Sequence, residues 1–274
     1  MSFYHLYSRF LGRQAKVSTL SPKDRRTALT VEELEDRRTP AASLLPDLTT
    51  WADQSRGFLY DWYLDSSTTA GKTLLRLSNA VANVGSGPLE IRGGSVNADG
   101  TQAVSQRIYD DSGAFIDRPA GSFVYHAAHG HVHFEDFSQY NLRAVTAGDG
   151  VGPVVASGSK TSYRLEDTTV YNGSLPGFSS TRGYYGGGQT QGISVGWADY
   201  YHRSLAGQWI DVTNVAAGTY WLESVADPLN RIAESNENNN AARIKITIGN
   251  ASAPDYAGNT PATARDIGTL ASNQ

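Results

Sequence analysis

The sequence predicts a mainly β fold, a compact β-sandwich-like domain that carries long irregular loops. Three observations favour this class. Glycine and tyrosine are abundant, with 28 and 15 residues in a chain of 274, which is typical of proteins with many turns and strands. Short apolar runs alternate with clusters of Gly, Ser and Pro, the pattern of strands joined by turns. Helical periodicity is scarce after residue 43.

The N-terminal segment, residues 1–43, differs in composition from the rest of the chain. It holds eight basic and five acidic residues and contains the sequence Leu-Glu-Asp-Arg-Arg-Thr-Pro-Ala at 34–41. No apolar stretch follows the basic residues, so this is not a standard secretory signal. The pattern resembles export leaders of planctomycete-type bacteria, which implies a secreted, cell-surface or periplasmic bacterial protein. We therefore expect 1–43 to be a disordered export segment.

The body of the chain, residues 44–249, contains most of the strand candidates. Between residues 168 and 194 we expect a long loop rich in Gly, Ser and Tyr, and long loops in compact domains are often functional. Residues 250–274 are polar and resemble the opening of bacterial pre-peptidase C-terminal domains, so we expect a tail or the start of a truncated domain there. The candidate strands are Leu74–Val84, Leu89–Arg92, a strand within Phe123–Ala144, Tyr163–Glu166, Tyr220–Val225 and Ala242–Ile248.

Charge and composition narrow the classes of partner. After residue 43, fifteen basic residues stand against twenty-two acidic ones, and this acidic balance argues against nucleic acid as a partner. No stretch approaches about 20 consecutive apolar residues, so we expect no membrane span. The chain has no cysteine, which excludes disulfides and cysteine-based zinc sites.

The segment His126-Ala-Ala-His129-Gly-His131-Val-His133 holds four of the six histidines. Side chains alternate along a β-strand, so we expect His129, His131 and His133 to point the same way. Three close imidazoles repel one another when protonated but can share a divalent metal when neutral. The ligand type alone admits copper, zinc, iron or nickel. A polar strand face with incidental histidines is the plainer alternative, which the flanking aromatic and apolar residues disfavour.

An ordered series of further segments accompanies this histidine run. The body resembles the lysyl oxidase catalytic domain from about residue 45 to residue 248, with the segments in the same order and at similar spacing. The segments that carry the resemblance are His129–His133, Glu135–Tyr140, Ser159–Asp167, Gln191–Tyr201, Gly207–Thr213, Gly218–Glu223 and Glu234–Asn240.

The resemblance implies a copper(II) site and a built-in organic cofactor. His129, His131 and His133 match the family's copper ligands. His126 matches a histidine just upstream, and we expect it to support the site rather than to bind the metal. The family also forms lysine tyrosylquinone from a lysine and a tyrosine.

The resemblance places this crosslink at Lys160 and Tyr201. Tyr200 is one residue away from the matched position, but the spacing to the following Gln-Trp-Ile-Asp segment favours Tyr201. Asp199 matches an aspartate near that tyrosine and is the candidate general base, with a turn-capping carboxylate as the alternative. His202 departs from the small residue typical of the family, which leaves the local geometry open.

A second metal site is implied at the two ends of the body. In the family, a Pro-Asp-Leu segment and the closing Asn-rich segment together bind calcium, and hard Ca²⁺ prefers such oxygen ligands. Here Asn236 replaces the usual Asp, which removes one negative charge. A hydrogen-bonded Asn-rich turn is the alternative interpretation. The matched residues are Asp47, Leu48 through its carbonyl, Glu234, Asn236, Asn239 and Asn240.

The sequence thus predicts a copper-dependent amine oxidase. Such an enzyme converts a primary amine, such as a peptidyl lysine, to an aldehyde, consumes O₂, and releases ammonia and hydrogen peroxide. Two alternatives stay open. One is an exported metal-binding β-sandwich module that never matures a quinone. The other is a zinc hydrolase, in which three histidines leave an open position for water.

Overall fold

The computed structural model describes residues 41–249 except Ala128 and Gly187. The described chain is nearly all β, which confirms the predicted class. The predicted leader up to residue 40 and the predicted tail 250–274 lie outside the described residues. No helix within the described part is long and apolar enough to cross a bilayer. The strands are β1 (Ser43–Leu44), β2 (Leu48–Thr50), β3 (Trp62–Asp65), β4 (Leu74–Leu77), β5 (Asn79–Asn83), β6 (Leu89–Val96), β7 (Thr101–Asp110), β8 (Phe115–His126), β9 (His131–Phe134), β10 (Ser138–Thr146), β11 (Gly150–Ser157), β12 (Thr169–Val170), β13 (Thr190–Ile193), β14 (Trp197–Tyr201), β15 (Trp209–Asp211), β16 (Gly218–Ala226) and β17 (Ala241–Ile248), with a 3₁₀ turn at Ala147–Asp149.

The strands form four antiparallel sheets. The largest runs β13-β6-β7-β8-β9, with β1 paired to the end of β7. Two four-stranded sheets run β11-β10-β16-β17 and β12-β14-β5-β2, and a three-stranded sheet runs β15-β4-β3. At the edge of the largest sheet, the β8–β9 hairpin pairs His126 with His131 across the strands. This edge therefore brings the histidine segment together in one place.

The predicted strands meet different outcomes. The predictions at 220–225 and 242–248 are confirmed as β16 and β17, and the apolar run at 74–84 is divided into β4 and β5. The strand predicted over 163–166 is wrong, because only Tyr163 makes a bridge, to Phe134, while the N–H of Leu165 donates to the side chain of Gln191. The loop predicted over 168–194 is irregular in its middle but begins and ends with β12 and β13.

The core consists of aromatic and aliphatic side chains that lie directly behind the histidine hairpin. Fully burying one such aromatic ring contributes about 1.5–3 kcal/mol to stability. The ring of Tyr163 contacts that of Tyr201 edge to face, with centroids 4.8 Å apart. Since Tyr201 lies at the end of β14, the core continues into the wall of the candidate site. The largest buried side chains are Phe123, Phe134, Phe137, Tyr140 and Tyr163.

One terminal strand, β11, is exposed and apolar. Val151, Val154 and Val155 are each more than 40% exposed. The β10–β11 ladder shifts register on both sides of Arg143, and Pro153 lies opposite this irregular stretch. Proline is tolerated in sheets at edges and bulges because it has no N–H to donate.

Candidate active site

The histidine segment forms a hairpin rather than one continuous strand. His126 ends β8, and its carbonyl accepts hydrogen bonds from the N–H groups of His129 and Gly130, both 2.9 Å long. Gly130 has φ of +71°, a left-handed conformation that glycine adopts without strain. The expectation that His129 shares a strand face with His131 and His133 is therefore wrong for His129, which lies in the turn.

The three imidazoles nevertheless converge. His133 Nε2 lies 3.0 Å from His131 Nε2 and 3.3 Å from His129 Nδ1. Two nitrogens bonded to one metal at about 2.0–2.1 Å, with angles of about 90–109°, stand about 2.8–3.4 Å apart. The observed spacings therefore fit a shared divalent metal.

Burial keeps this cluster in the form that binds metal. His133 is 4% exposed, and burial, reinforced by the neighbouring His126 and His131, lowers its pKa to about 3. Burial also lowers the pKa of His131, and nearby Arg164 adds to this effect. Neutral imidazole is the ligand form, so these two side chains are ready to coordinate at neutral pH.

His126 lies against the back of the cluster. Its ring stacks on that of His133 with centroids 4.1 Å apart, and its Nε2 is 3.3 Å from Ser162 Oγ. One ring nitrogen each of His126, His129 and His133 lie within 4.8 Å of one another. The stacking fits the predicted supporting role, and the same distances keep His126 within reach of a metal.

Lys160 and Tyr201 lie side by side beside the histidines. Lys160 Nζ is 5.4 Å from the ring centroid of Tyr201 and donates a hydrogen bond to the carbonyl of Ala206. Burial lowers the pKa of Lys160, against the opposing influence of Asp199. Gly207, with φ of +77°, leaves room for this side chain, since a Cβ there would lie 3.0 Å from Lys160.

Tyr201 and Tyr200 both line the cavity described below, but their rings have different neighbours. The hydroxyl of Tyr201 donates to the carbonyl of Arg164. Tyr201 and Asp199 are two apart on β14 and so share a face of that strand. Tyr200 packs its ring on Phe58, with centroids 4.9 Å apart. The structure therefore brings Tyr201, rather than its neighbour, next to Lys160.

Asp199 is a buried carboxyl without a hydrogen-bond donor for Oδ2 among the described residues. Burial raises its pKa well above the usual range, and the charge of Glu166 adds to this effect. Burial, followed by the proximity of Asp199, also raises the pKa of Tyr201. A carboxyl with a raised pKa is a stronger base once it loses its proton.

His202 lies outside this arrangement. It is exposed, its Nδ1 is 2.7 Å from Ser204 Oγ, and its Nε2 is 3.7 Å from Asp61. Its side chain does not line the cavity described next, so it leaves the space beside Tyr201 free.

A cavity of about 320 Å³ joins these groups. Sequence reasoning missed several of its lining residues. Arg164 and Glu166 form an ion pair of 2.5 Å in its wall, and Glu166 is nearly fully buried. Glu166 belongs to a segment quoted for the resemblance, but nothing in its local pattern indicated that it faces a cavity. The lining residues are His129, His131, His133, Lys160, Arg164, Glu166, Thr168, Asp199, Tyr200, Tyr201, Leu205 and Ala206.

Gln191 connects the two halves of the site. Its Nε2 donates to the carbonyl of Val132, between two of the histidines, and its Oε1 accepts from the N–H of Leu165. The side chain is 1% exposed. Gln191 therefore fixes the histidine strand β9 against the segment that carries Lys160.

The residues matched to a calcium site also meet, with one exception. Glu234 accepts from the N–H of Leu48 and from Asn240 Nδ2, and Asn239 Nδ2 donates to Asp47 Oδ1. The Oδ1 atoms of both Asn239 and Asn240 are buried without a donor among the described residues. Burial raises the pKa of Glu234 to about 8. Such unpaired buried oxygens suit a hard cation.

The exception is Asn236. Its side chain is exposed, and its Oδ1 accepts a hydrogen bond of 3.1 Å from the N–H of Asn238. Sequence reasoning also missed Asp227 and Glu237, which each place a carboxylate oxygen within 4.8 Å of one from Glu234.

Comparison with known proteins finds relatives of this chain. The chain is 35% identical to human lysyl oxidase homolog 1 over 131 residues, which is 47% of this chain and 21% of that protein. It is 39% identical to zebrafish lysyl oxidase homolog 3B over 123 residues, covering 44% of this chain and 14% of that protein. It is 35% identical to pig protein-lysine 6-oxidase over 130 residues, which is 47% of this chain and 48% of that protein.

The chain therefore matches between about a seventh and a half of the length of these relatives. The sequence profile of the family named Lysyl oxidase matches residues 105–254, more than half of the chain. This span contains the histidine hairpin, Lys160 and Tyr201, and on that basis the protein belongs to the lysyl oxidase family.

Proposed function

We propose that this protein is a copper- and quinone-dependent amine oxidase. It converts a primary amine, including the side chain of a peptidyl lysine, to an aldehyde, and O₂ is reduced to hydrogen peroxide as ammonia is released. The observation that carries the proposal is the placement of Lys160 Nζ 5.4 Å from the ring of Tyr201. Both residues line one cavity with the three converging imidazoles.

In this proposal His129, His131 and His133 hold copper, and Lys160 and Tyr201 are joined as lysine tyrosylquinone. Bound copper and the quinone supply the two-electron acceptor chemistry that the protein's own side chains lack. The lowered pKa of Lys160 increases the neutral amine fraction, which is the nucleophilic form needed for the crosslink. The hydrogen bond from Tyr201 to the Arg164 carbonyl limits rotation of the ring while it is modified.

Asp199 is the proposed general base. Its unpartnered Oδ2 is available to accept the proton from the carbon next to the substrate nitrogen. Its burial keeps water away, and its raised pKa favours proton transfer from a weak acid. The ion pair of Arg164 with Glu166 leaves Glu166 partly neutralised, so Asp199 is the carboxyl free to take this role.

We also propose that the ends of the domain bind calcium through Asp47, the Leu48 carbonyl, Glu234, Asn239 and Asn240, with Asn236 as the predicted sixth ligand. The two buried amide oxygens without donors support this proposal. We further propose, from the leader pattern at 34–41, that the protein acts outside the cytoplasm. A shortened N-terminus in protein isolated from its source, measured by mass spectrometry, would support export.

The proposal is tested with the copper-loaded full chain in air. Unaltered protein should release hydrogen peroxide when a primary amine is added and should contain a chromophore that reacts with phenylhydrazine. Lys160→Arg should lose both properties while it keeps its copper signal in electron paramagnetic resonance. Lys245→Arg is the matched control, because Lys245 pairs with Asp149 away from the cavity.

Full activity in Lys160→Arg would refute the quinone proposal. Copper or zinc binding without any phenylhydrazine-reactive group would instead assign the protein to the metal-binding module predicted as an alternative. Hydrolytic turnover by a zinc-loaded sample would assign it to the hydrolase class.

A further inference from the structure

One cation in the described chain stands apart from the others. Among the described residues, every Lys and Arg lies within 4.0 Å of a carboxylate oxygen except Arg118, Lys160 and Arg182. Arg118 and Lys160 each donate to a backbone carbonyl. The guanidinium of Arg182 instead lies 4.6 Å from the ring centroid of Tyr185 and 5.9 Å from that of Trp197. Arg182 is exposed and lines an open groove.

This groove has a volume of about 590 Å³ and is separate from the cavity that holds Lys160. Its buried carboxylate, Glu90, is already occupied by Arg92 Nε at 2.5 Å and by the hydroxyl of Tyr184 at 2.7 Å. Glu90 therefore does not neutralise Arg182. Contact with two aromatic rings restricts the guanidinium before a ligand arrives, so binding loses less side-chain entropy.

The groove and the catalytic cavity lie back to back along residues 166–168. Glu166 and Thr168 line the cavity. Asp167, between them, accepts hydrogen bonds from Gly183, Tyr184 and Ser194, which all line the groove. Residues 166–168 therefore contribute both to the wall of the cavity and to the contacts that hold the residues of the groove. A bound peptide would have to pass around this three-residue segment to contact both sites.

We propose that the groove around Arg182 binds a carboxylate of a peptide substrate whose lysine enters the cavity beside Tyr201. This rests on the proposed oxidase function and makes the substrate an acidic, lysine-containing peptide segment. A planar guanidinium pairs with a carboxylate through two parallel N–H donors. A phosphorylated peptide fits less well, because phosphate recognition generally uses a cluster of cations, whereas this groove offers one beside the carboxylate of Glu90.

The test measures peptide binding to the copper-loaded full chain by fluorescence anisotropy. Two labelled peptides are compared, in which glutamates or glutamines flank a central norleucine that cannot be oxidised. The unaltered protein should bind the glutamate peptide about three- to tenfold more tightly at low salt. In Arg182→Gln the ratio of the dissociation constants of the glutamine and glutamate peptides should fall to about one. Arg56→Gln is the matched control, since Arg56 also lies over a ring, that of Trp51, but is paired with Asp53.

A ratio near one in the unaltered protein, or an undiminished ratio in Arg182→Gln, would overturn the inference. Loss of the ratio in Arg56→Gln as well would also overturn it, because the effect would then be general electrostatics. The two proposals fail separately. Absence of peroxide release with a small amine would refute the oxidase, while the norleucine peptides would still report on the groove.

Discussion

The carboxylate of Asp167 accepts hydrogen bonds from the loop between β12 and β13. Its removal should lower the free energy of unfolding by a large amount. It is fully buried, and its oxygens accept from the N–H groups of Gly183 (2.8 Å), Tyr184 (3.1 Å) and Ser194 (2.8 Å) and from Ser194 Oγ (2.7 Å). In Asp167→Ala, three backbone donors in part-buried hydrogen bonds lose their acceptor. Each unsatisfied buried group costs about 1–3 kcal/mol, and partial relaxation makes the sum less than additive. We expect a loss of about 3–5 kcal/mol in the free energy of unfolding.

The free energy of unfolding of Asp167→Asn should lie between those of the unaltered protein and of Asp167→Ala. The amide can turn its one oxygen either toward Ser194 N–H or toward the other three donors, so it loses part of the set in either orientation. Urea unfolding followed by tryptophan fluorescence measures the free energy from the midpoint and slope. The control is Asp110→Ala, where the carboxylate caps an exposed turn through Ser112 and Ala114, and its midpoint should shift much less. A loss below about 1 kcal/mol for Asp167→Ala would refute the reasoning.

Three further predictions concern the metals and the pH dependence of stability. Gln191→Leu should weaken copper binding about tenfold or more in chelator competition, because Val132 loses its tether, and an unchanged Kd would contradict this. Added calcium should raise the unfolding temperature of unaltered protein but not of Glu234→Gln, and equal shifts would count against the site. Burial opposes ionisation of Glu223, but hydrogen bonds from Arg143 and Asn141 outweigh it and lower the pKa below the unfolded value of 4.5. The ionised Glu223 therefore contributes fully to the free energy of unfolding above about pH 4.5, and this contribution is lost as the pH falls through the folded pKa. In Glu223→Gln the free energy of unfolding should depend less on pH in that acidic range.

The sequence predicted the fold class and the C-terminal strands because these features are local. Alternating runs such as 242–248 are visible in any short window and became β17. The strand expected at 163–166 failed because its backbone groups are satisfied by a side chain from a distant segment, Gln191, and such a partner leaves no local signal.

The site was partly accessible from the sequence. The spacing of the histidines predicted their convergence, although the contribution of Gly130 to the turn changed how His129 reaches the cluster. The pairing of Lys160 with Tyr201 came only from family resemblance, since they lie 41 positions apart and neither has a distinctive neighbourhood in the sequence. Arg182 went unnoticed because its importance depends on which carboxylates lie near every other cation, and that is a property of the folded chain.

The two terminal strands of the β11-β10-β16-β17 sheet resist self-association by different means. β17 carries Arg243 and Lys245, and their charges oppose pairing with a second strand edge. β11 exposes three valines, and its protection depends on the irregular register and on Pro153. This strand is the place where the chain comes nearest to an aggregation-prone segment, and proline acts there as a gatekeeper residue. Substitutions that remove the proline and the register shifts of β11 would therefore raise its strand propensity. They would also create an exposed apolar edge that can pair with other chains in amyloid-like stacking.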